Sequence, residues 1–277
     1  MMRHFTVHHD GVTIPVTRGG RGRPLVLCPG LCSTRADLHE LIELLRRDHE
    51  VVTFDLRGHG LASAADRYSF DAFRGDLAAV LADPGRLGLS AAPVLVGYSL
   101  GADLVVHHAS EHPDAVAGVV LVDGANPVPE PFITEADLPE FRAMWEEQVA
   151  RQQEAELHEG GKGAAHRVLL GAQDILDLNL ELDVIRTEHT LARYEKIHCP
   201  VSMIMSTSMA GSDGEERTAR YNQLWRSGIE RLVRARPETA TTWLDADHRL
   251  PFTHAPEIAR VIRDFRSAGN WGAGPRS

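Results

Sequence analysis

The sequence predicts an α/β protein, a mostly parallel, doubly wound sheet with one helical insert. Three observations carry that prediction. Apolar runs of strand length alternate with helix-period patterns through residue 123. The runs are continuous, as in Val119-Val120-Leu121-Val122, which suits strands covered on both faces. Between residues 124 and 198 the strand pattern stops, and it resumes at Val201.

Each element has its own signal. His4 to His9 and Val12 to Thr17 flank Asp10-Gly11, a two-residue hairpin turn. Pro24 to Cys28 reads as a buried strand ending at Pro29-Gly30. Leu38, Leu41, Ile42 and Leu45 recur at helical spacing and predict a helix over Thr34 to Asp48. Glu50 to Asp55 is a strand, Ser69 to Ala82 a helix capped by Ser69, and Pro93 to Tyr98 a strand. A helix over Leu100 to Glu111 and a strand over Ala117 to Asp123 follow. After the insert come a strand at Val201 to Met205 and a helix at Glu215 to Val233. A strand at Thr239 to Leu244 and a closing helix at Ala255 to Phe265 complete the pattern. The expected division is a core of 1–123 and 199–266, a helical insert of 124–198 and a loose Gly-rich tail of 267–277.

Composition narrows the function classes. The chain has 277 residues, 43% hydrophobic and 25% charged, within the globular range and unlike a disordered or fibrous chain. Its net charge of −10 and its lack of a basic run argue against nucleic acid or an anionic membrane as partner. No apolar stretch approaches membrane-spanning length, and the N-terminus lacks the apolar segment of a signal peptide, so the expected compartment is the cytoplasm. The three cysteines, Cys28, Cys32 and Cys199, have no metal-type spacing. With no H-E-x-x-H and no phosphate-cradling Gly-rich loop with Lys, neither a metal nor an organic cofactor is expected.

The chemistry concentrates at Gly97-Tyr98-Ser99-Leu100-Gly101. The bare G-x-S-x-G pattern is weak; its position between a strand and a helix makes it informative. A reversal there strains the backbone and holds the hydroxyl above a helix N-terminus, where developing negative charge is favoured. Serine is a poor nucleophile until a base takes its proton. Of fifteen histidines, His248 follows the last strand and so reaches the sheet edge that carries Ser99. His254 is the runner-up and reads better as a helix cap. An oxyanion needs N–H donors: Leu100, after the nucleophile, and Leu31, in the loop after the first parallel strand. Gly30 lets that loop turn in close.

These motifs, with Asp55-Leu56-Arg57-Gly58-His59-Gly60 and Asp247-His248, occur in the order seen in α/β-hydrolase fold enzymes with a helical cap, and the chain resembles that family over residues 4–266. The resemblance implies a serine hydrolase, and it is unspecific for substrate. Relatives that use an aspartate nucleophile are disfavoured by Ser99. The chain departs from the family in three ways. Pro29-Gly30 stands where His-Gly is common, which alters the hydrogen bonding of the oxyanion loop. Tyr98 precedes the nucleophile, and its ring is expected to meet cap or substrate. The usual slot for the acid falls near Met209. Asp123, at a strand end, and Asp213, in a Gly-rich loop, are the two replacements; orienting the imidazole requires a rigidly held carboxylate, which favours Asp123, and a Ser–His pair without an acid is the third option.

In the insert, Phe132, Leu138, Phe141, Met144, Trp145 and Val149 recur at spacings suited to one helix face; they pack the insert down, and part of them roofs a pocket over Ser99. The leading expectation is hydrolysis of a small or medium apolar ester, lactone or thioester, the small-molecule acyl substrate being the partner. An acyltransferase with a carrier-protein or peptide acceptor is the alternative, followed by a ligand-binding member that has lost turnover.

Overall fold

A computed structural model describes residues 2–82, 87–159 and 163–265. Eight strands form one sheet: β1 (Arg3–His9), β2 (Val12–Gly20), β3 (Arg23–Cys28), β4 (His49–Phe54), β5 (Val94–Tyr98), β6 (Gly118–Val122), β7 (Val201–Ser206) and β8 (Ala240–Leu244). Their order across the sheet is β1-β2-β4-β3-β5-β6-β7-β8. Both pairings made by β2 are antiparallel, and every other neighbour is parallel. The β1–β2 turn has Asp10 and Gly11 at φ 49° and 73°, as a tight hairpin requires.

Helices cover both faces, which is why the strands read as continuous apolar runs. Alternation sorts their side chains. Leu25, Leu27, Val94, Val96, Tyr98, Val120 and Val122 face α1 (His39–Leu45) and the closing helix near the C-terminus. Val26, Cys28, Leu95, Val119 and Leu121 face α2 (Phe70–Leu81) and α3 (Leu100–Glu111). Each such side chain, fully buried, contributes about 1.5–3 kcal/mol relative to exposure, so a register slip is heavily penalised.

Between β6 and β7 the chain makes α4 (Leu138–Glu159), a 3₁₀ turn at Ala164–His166, α5 (Ala172–Val184), a π turn at Ile185–His189 and α6 (Thr190–Tyr194). After β7 come α7 (Glu216–Ala235), α8 (Leu250–Thr253) and α9 (Ala255–Asp264). Among the described residues no helix is long and apolar enough to cross a membrane.

Two expectations change. The first helix begins at His39, not Thr34. The Asp37 carboxylate takes the Thr34 N–H and hydroxyl at 2.8 and 2.9 Å, and Asp55 takes the Arg35 N–H at 2.9 Å. Those bonds hold residues 34–38 in turns. Phe132 precedes α4 and lies in a loop, not on the helix face with Phe141 and Trp145. The tail expected over 267–277 lies outside the described residues.

Candidate active site

Ser99 sits where β5 ends and α3 begins, with φ 51° and ψ −120°. A non-glycine residue pays strain there, and the surroundings over-determine it. A Cβ on Gly97 would come within 2.5 Å of Ala102 Cα, and one on Gly101 within 2.3 Å of the Cys28 carbonyl. Only glycine lets strand, helix and the neighbouring loop pass this closely.

Three side chains from three sheet-edge segments then meet. His248 Nε2 lies 2.9 Å from Ser99 Oγ, and His248 Nδ1 lies 2.8 Å from Asp123 Oδ2. Asp123 follows β6 and is fully buried. It also accepts the Ser206 N–H (2.9 Å), the Ser206 hydroxyl (2.7 Å) and the Trp225 Nε1–H (2.9 Å). A carboxylate offers only lone pairs, so Nδ1 carries the hydrogen and Nε2 is left as the acceptor for the serine proton. The structure thus brings Ser99, His248 and Asp123 together, as one of the sequence's options had it.

Asp213 lines the cavity over Ser99 but does not bond the imidazole. Its carboxylate takes the Glu215 N–H at 3.0 Å and the Thr218 hydroxyl at 3.1 Å, at the start of α7. The Met209 slot is filled by backbone, since the Met209 carbonyl accepts the His248 N–H at 3.2 Å. His254 occupies the N-cap position of α9 without a side-chain capping bond; its Nδ1 meets the Thr253 hydroxyl at 2.9 Å.

Tyr98 corrects an expectation. Strand alternation turns its ring to the face of α1 and α9, away from the insert. Its hydroxyl donates to the His248 carbonyl at 2.9 Å, and its ring lies 5.4 Å from the imidazole and 5.8 Å from Phe252. It braces the histidine loop from below. Burial pushes its hydroxyl pKa up.

The loop after β3 reaches Ser99 through Gly30, where a Cβ would come within 2.9 Å of the serine Cβ. The Ser33 hydroxyl accepts the Gly30 N–H at 2.9 Å. His59, from the loop after β4, accepts the Cys32 N–H on Nε2 at 3.1 Å, with Nδ1 2.8 Å from the Arg57 carbonyl. Full burial lowers its pKa to about 4. It therefore stays neutral, with Nδ1 the donor to Arg57. Sequence reading noted His59 only as part of a motif; here it steadies the loop after β3 from a neighbouring strand end. The N–H groups of Leu31 and Leu100 are not taken by a protein acceptor among the described residues, leaving them available to a ligand oxygen.

Above Ser99 lies a cavity of about 440 Å³. Phe132, Phe141, Met144 and Trp145 line it as expected, whereas Val149 packs into the main apolar cluster. Sequence reading missed Trp225, whose ring stands edge-on to His248 at 6.4 Å while its N–H holds Asp123. It also missed Arg186, which comes from the π turn of the insert and pairs with Asp103 on α3. Cys32 lines the cavity at φ 57°, and burial pushes its thiol up to about 12, so it stays protonated near neutral pH.

The fold and this edge constellation define a doubly wound α/β protein with a serine on a tight, glycine-flanked strand-to-helix turn. The chain belongs to the alpha/beta hydrolase fold family, whose description matches residues 23–172. It is 30% identical over 113 residues to the 2-(acetamidomethylene)succinate hydrolase of Mesorhizobium japonicum, covering 40% of this chain and 39% of that protein. It is 33% identical over 107 residues to the N-formylmaleamate deformylase of Pseudomonas putida, covering 38% of each. The chain thus spans less than half the length of these curated relatives. Among solved structures, a bromoperoxidase from Bacillus anthracis superposes with a TM-score of 0.71 at 19% identity, covering 94% of this chain and 98% of that one. At that identity the likeness speaks for the fold alone.

Proposed function

We propose that the protein is a serine hydrolase that cleaves an ester, lactone, thioester or N-acyl bond of a small or medium substrate through an acyl-enzyme at Ser99. The observation that carries this reading is the unbroken chain from Asp123 through His248 to Ser99. His248 Nε2 takes the hydroxyl proton as Oγ bonds to the substrate carbonyl carbon. The carbonyl electron pair moves onto oxygen, where the Leu31 and Leu100 N–H groups stabilise it. As the tetrahedral intermediate collapses, the bond to the leaving group breaks and His248 returns the proton to it. Water then repeats the sequence on the acyl-enzyme: its proton goes to Nε2, its oxygen to the carbonyl carbon, and the proton finally returns to Ser99. Asp123 holds the imidazole in the required tautomer and stabilises its charge when protonated. The acetamido and N-formyl groups in the names of the two relatives add amide-type substrates to the esters. A transferase reading drew part of its support from the missing acid at Met209, and Asp123 beside His248 removes that part.

Intact-mass spectrometry after a fluorophosphonate probe tests the assignment. One adduct on the wild type, absent from Ser99→Ala, is the expected result; no adduct on the folded wild type, or one that survives in Ser99→Ala, contradicts it.

A further inference from the structure

We propose that the cavity over Ser99 selects an uncharged acyl group, with an apolar or aromatic body and an acceptor oxygen set against Arg186, and rejects carboxylates. This inference rests on the hydrolase reading and names its substrate class. Arg186 commits Nε and Nη2 to Asp103 at 3.1 and 2.6 Å. Its Nη1 has no acceptor among the described residues and is not sealed off, so the guanidinium presents one N–H edge to the cavity it lines. Its other face lies 5.6 Å from the Trp225 ring.

A lone arginine would invite a carboxylate. This one is outnumbered. Asp103 is its bidentate partner and is fully buried. Asp183 lines the same cavity, its carboxylate holding the Ile133 N–H at 2.8 Å, and Asp123 stands behind Trp225. Burial disfavours the Arg186 charge, and the three carboxylates together outweigh it, so its pKa is raised. At the mouth, the other lining arginine, Arg217, is paired with Glu140. With Arg217 and Glu140 offsetting each other, an entering carboxylate would meet Asp103, Asp123, Asp183 and the cavity-lining Asp213 against the single charge of Arg186, in a low-dielectric setting where such imbalance is costly. A carbonyl, ether or ester oxygen takes the Nη1 hydrogen without adding charge.

Two fluorophosphonates of equal chain length, one ending in a methyl ester and one in a free carboxylate, test this by their rates of Ser99 labelling. Each rate is normalised to the probe's own hydrolysis in buffer. The methyl ester is expected to label at least roughly tenfold faster at low salt, and Asp183→Asn to narrow that ratio by about threefold. Equal or faster labelling by the carboxylate overturns the proposal. A ratio unmoved by Asp183→Asn, in a variant of unchanged Tm, overturns its electrostatic cause. If neither probe labels the folded protein, the hydrolase reading itself fails and this inference with it.

Discussion

The parallel strands and helix α4 are built on opposite plans. Every residue of β5, β6 and β7 is buried. From Leu138 to Glu154, α4 has no fully buried residue; it touches the cavity through Glu140, Phe141, Met144 and Trp145 and turns most of its other side chains to solvent. Its partner α5 lies between these extremes, with Ile175, Leu176, Leu178 and Leu182 buried. The difference separates two tasks. Ser99 and Asp123, two of the groups that meet within 3 Å, follow strands whose register is fixed by burial on both faces, while part of the cavity wall sits on a helix with few packing contacts to hold it.

That division predicts two kinds of variant. The largest effect belongs to the sheet edge: His248→Ala is expected to lower kcat for an activated ester by roughly 10,000-fold or more while Tm stays within a few degrees. A loss of folding instead of activity would show that the site and the scaffold are not separable. Next comes the oxyanion loop. His59→Leu removes the acceptor for the Cys32 N–H and is expected to cost roughly 10- to 100-fold in kcat, with His59→Gln, which can still accept that bond, recovering part of it. A His59→Leu enzyme of full kcat would contradict the bracing role. In the insert, Phe141→Ala is expected to raise KM about five- to tenfold and change kcat by less than about twofold. A kcat loss as deep as that of the core variants would erase the comparison.

The smallest expected effect at working pH is on stability. Burial lowers the pKa of His59, His107 and His108 to about 4, below the 6.5 of a free imidazole. Between those values the unfolded chain binds protons that the folded chain refuses. Their stabilisation is therefore complete above about pH 6.5 and is lost as the pH falls toward 4. Tm is expected to drop by roughly 10 °C from pH 7 to 4.5, followed by circular dichroism. A flat Tm over that range would mean that these imidazoles are open to protonation in the folded state.

The legible parts of the molecule were those set by local pattern. Continuous apolar runs marked the strands, Asp10-Gly11 the hairpin, and the strand–glycine–serine–glycine–helix run the elbow. His248 followed from its place after the last strand. What escaped was set by contacts across the sheet. Trp225 and Ser206 hold Asp123 from α7 and β7, and nothing in their local sequence announces it. His59 braces a loop that begins on the adjacent strand. Arg186 and Asp103 are far apart in the chain and meet only through the turn of the insert. Tyr98 was misread because its position before the nucleophile counted for more than the alternation that turns it to the opposite face. Between Asp123 and Asp213 the sequence offered only the greater rigidity of a strand end in favour of Asp123, because loop geometry, not residue type, determines which carboxylate reaches the imidazole.

The central claim is that Asp123 orients His248 for Ser99, and one pair of variants tests it most directly. In ester hydrolysis, Asp123→Asn is expected to lose about 1,000- to 10,000-fold in kcat, because an amide in that place disrupts the tautomer that leaves Nε2 basic. Asp213→Asn, bonded only at the start of α7, is expected to stay within about twofold. An Asp123→Asn enzyme near full activity, or the opposite ranking of the two variants, would contradict the account.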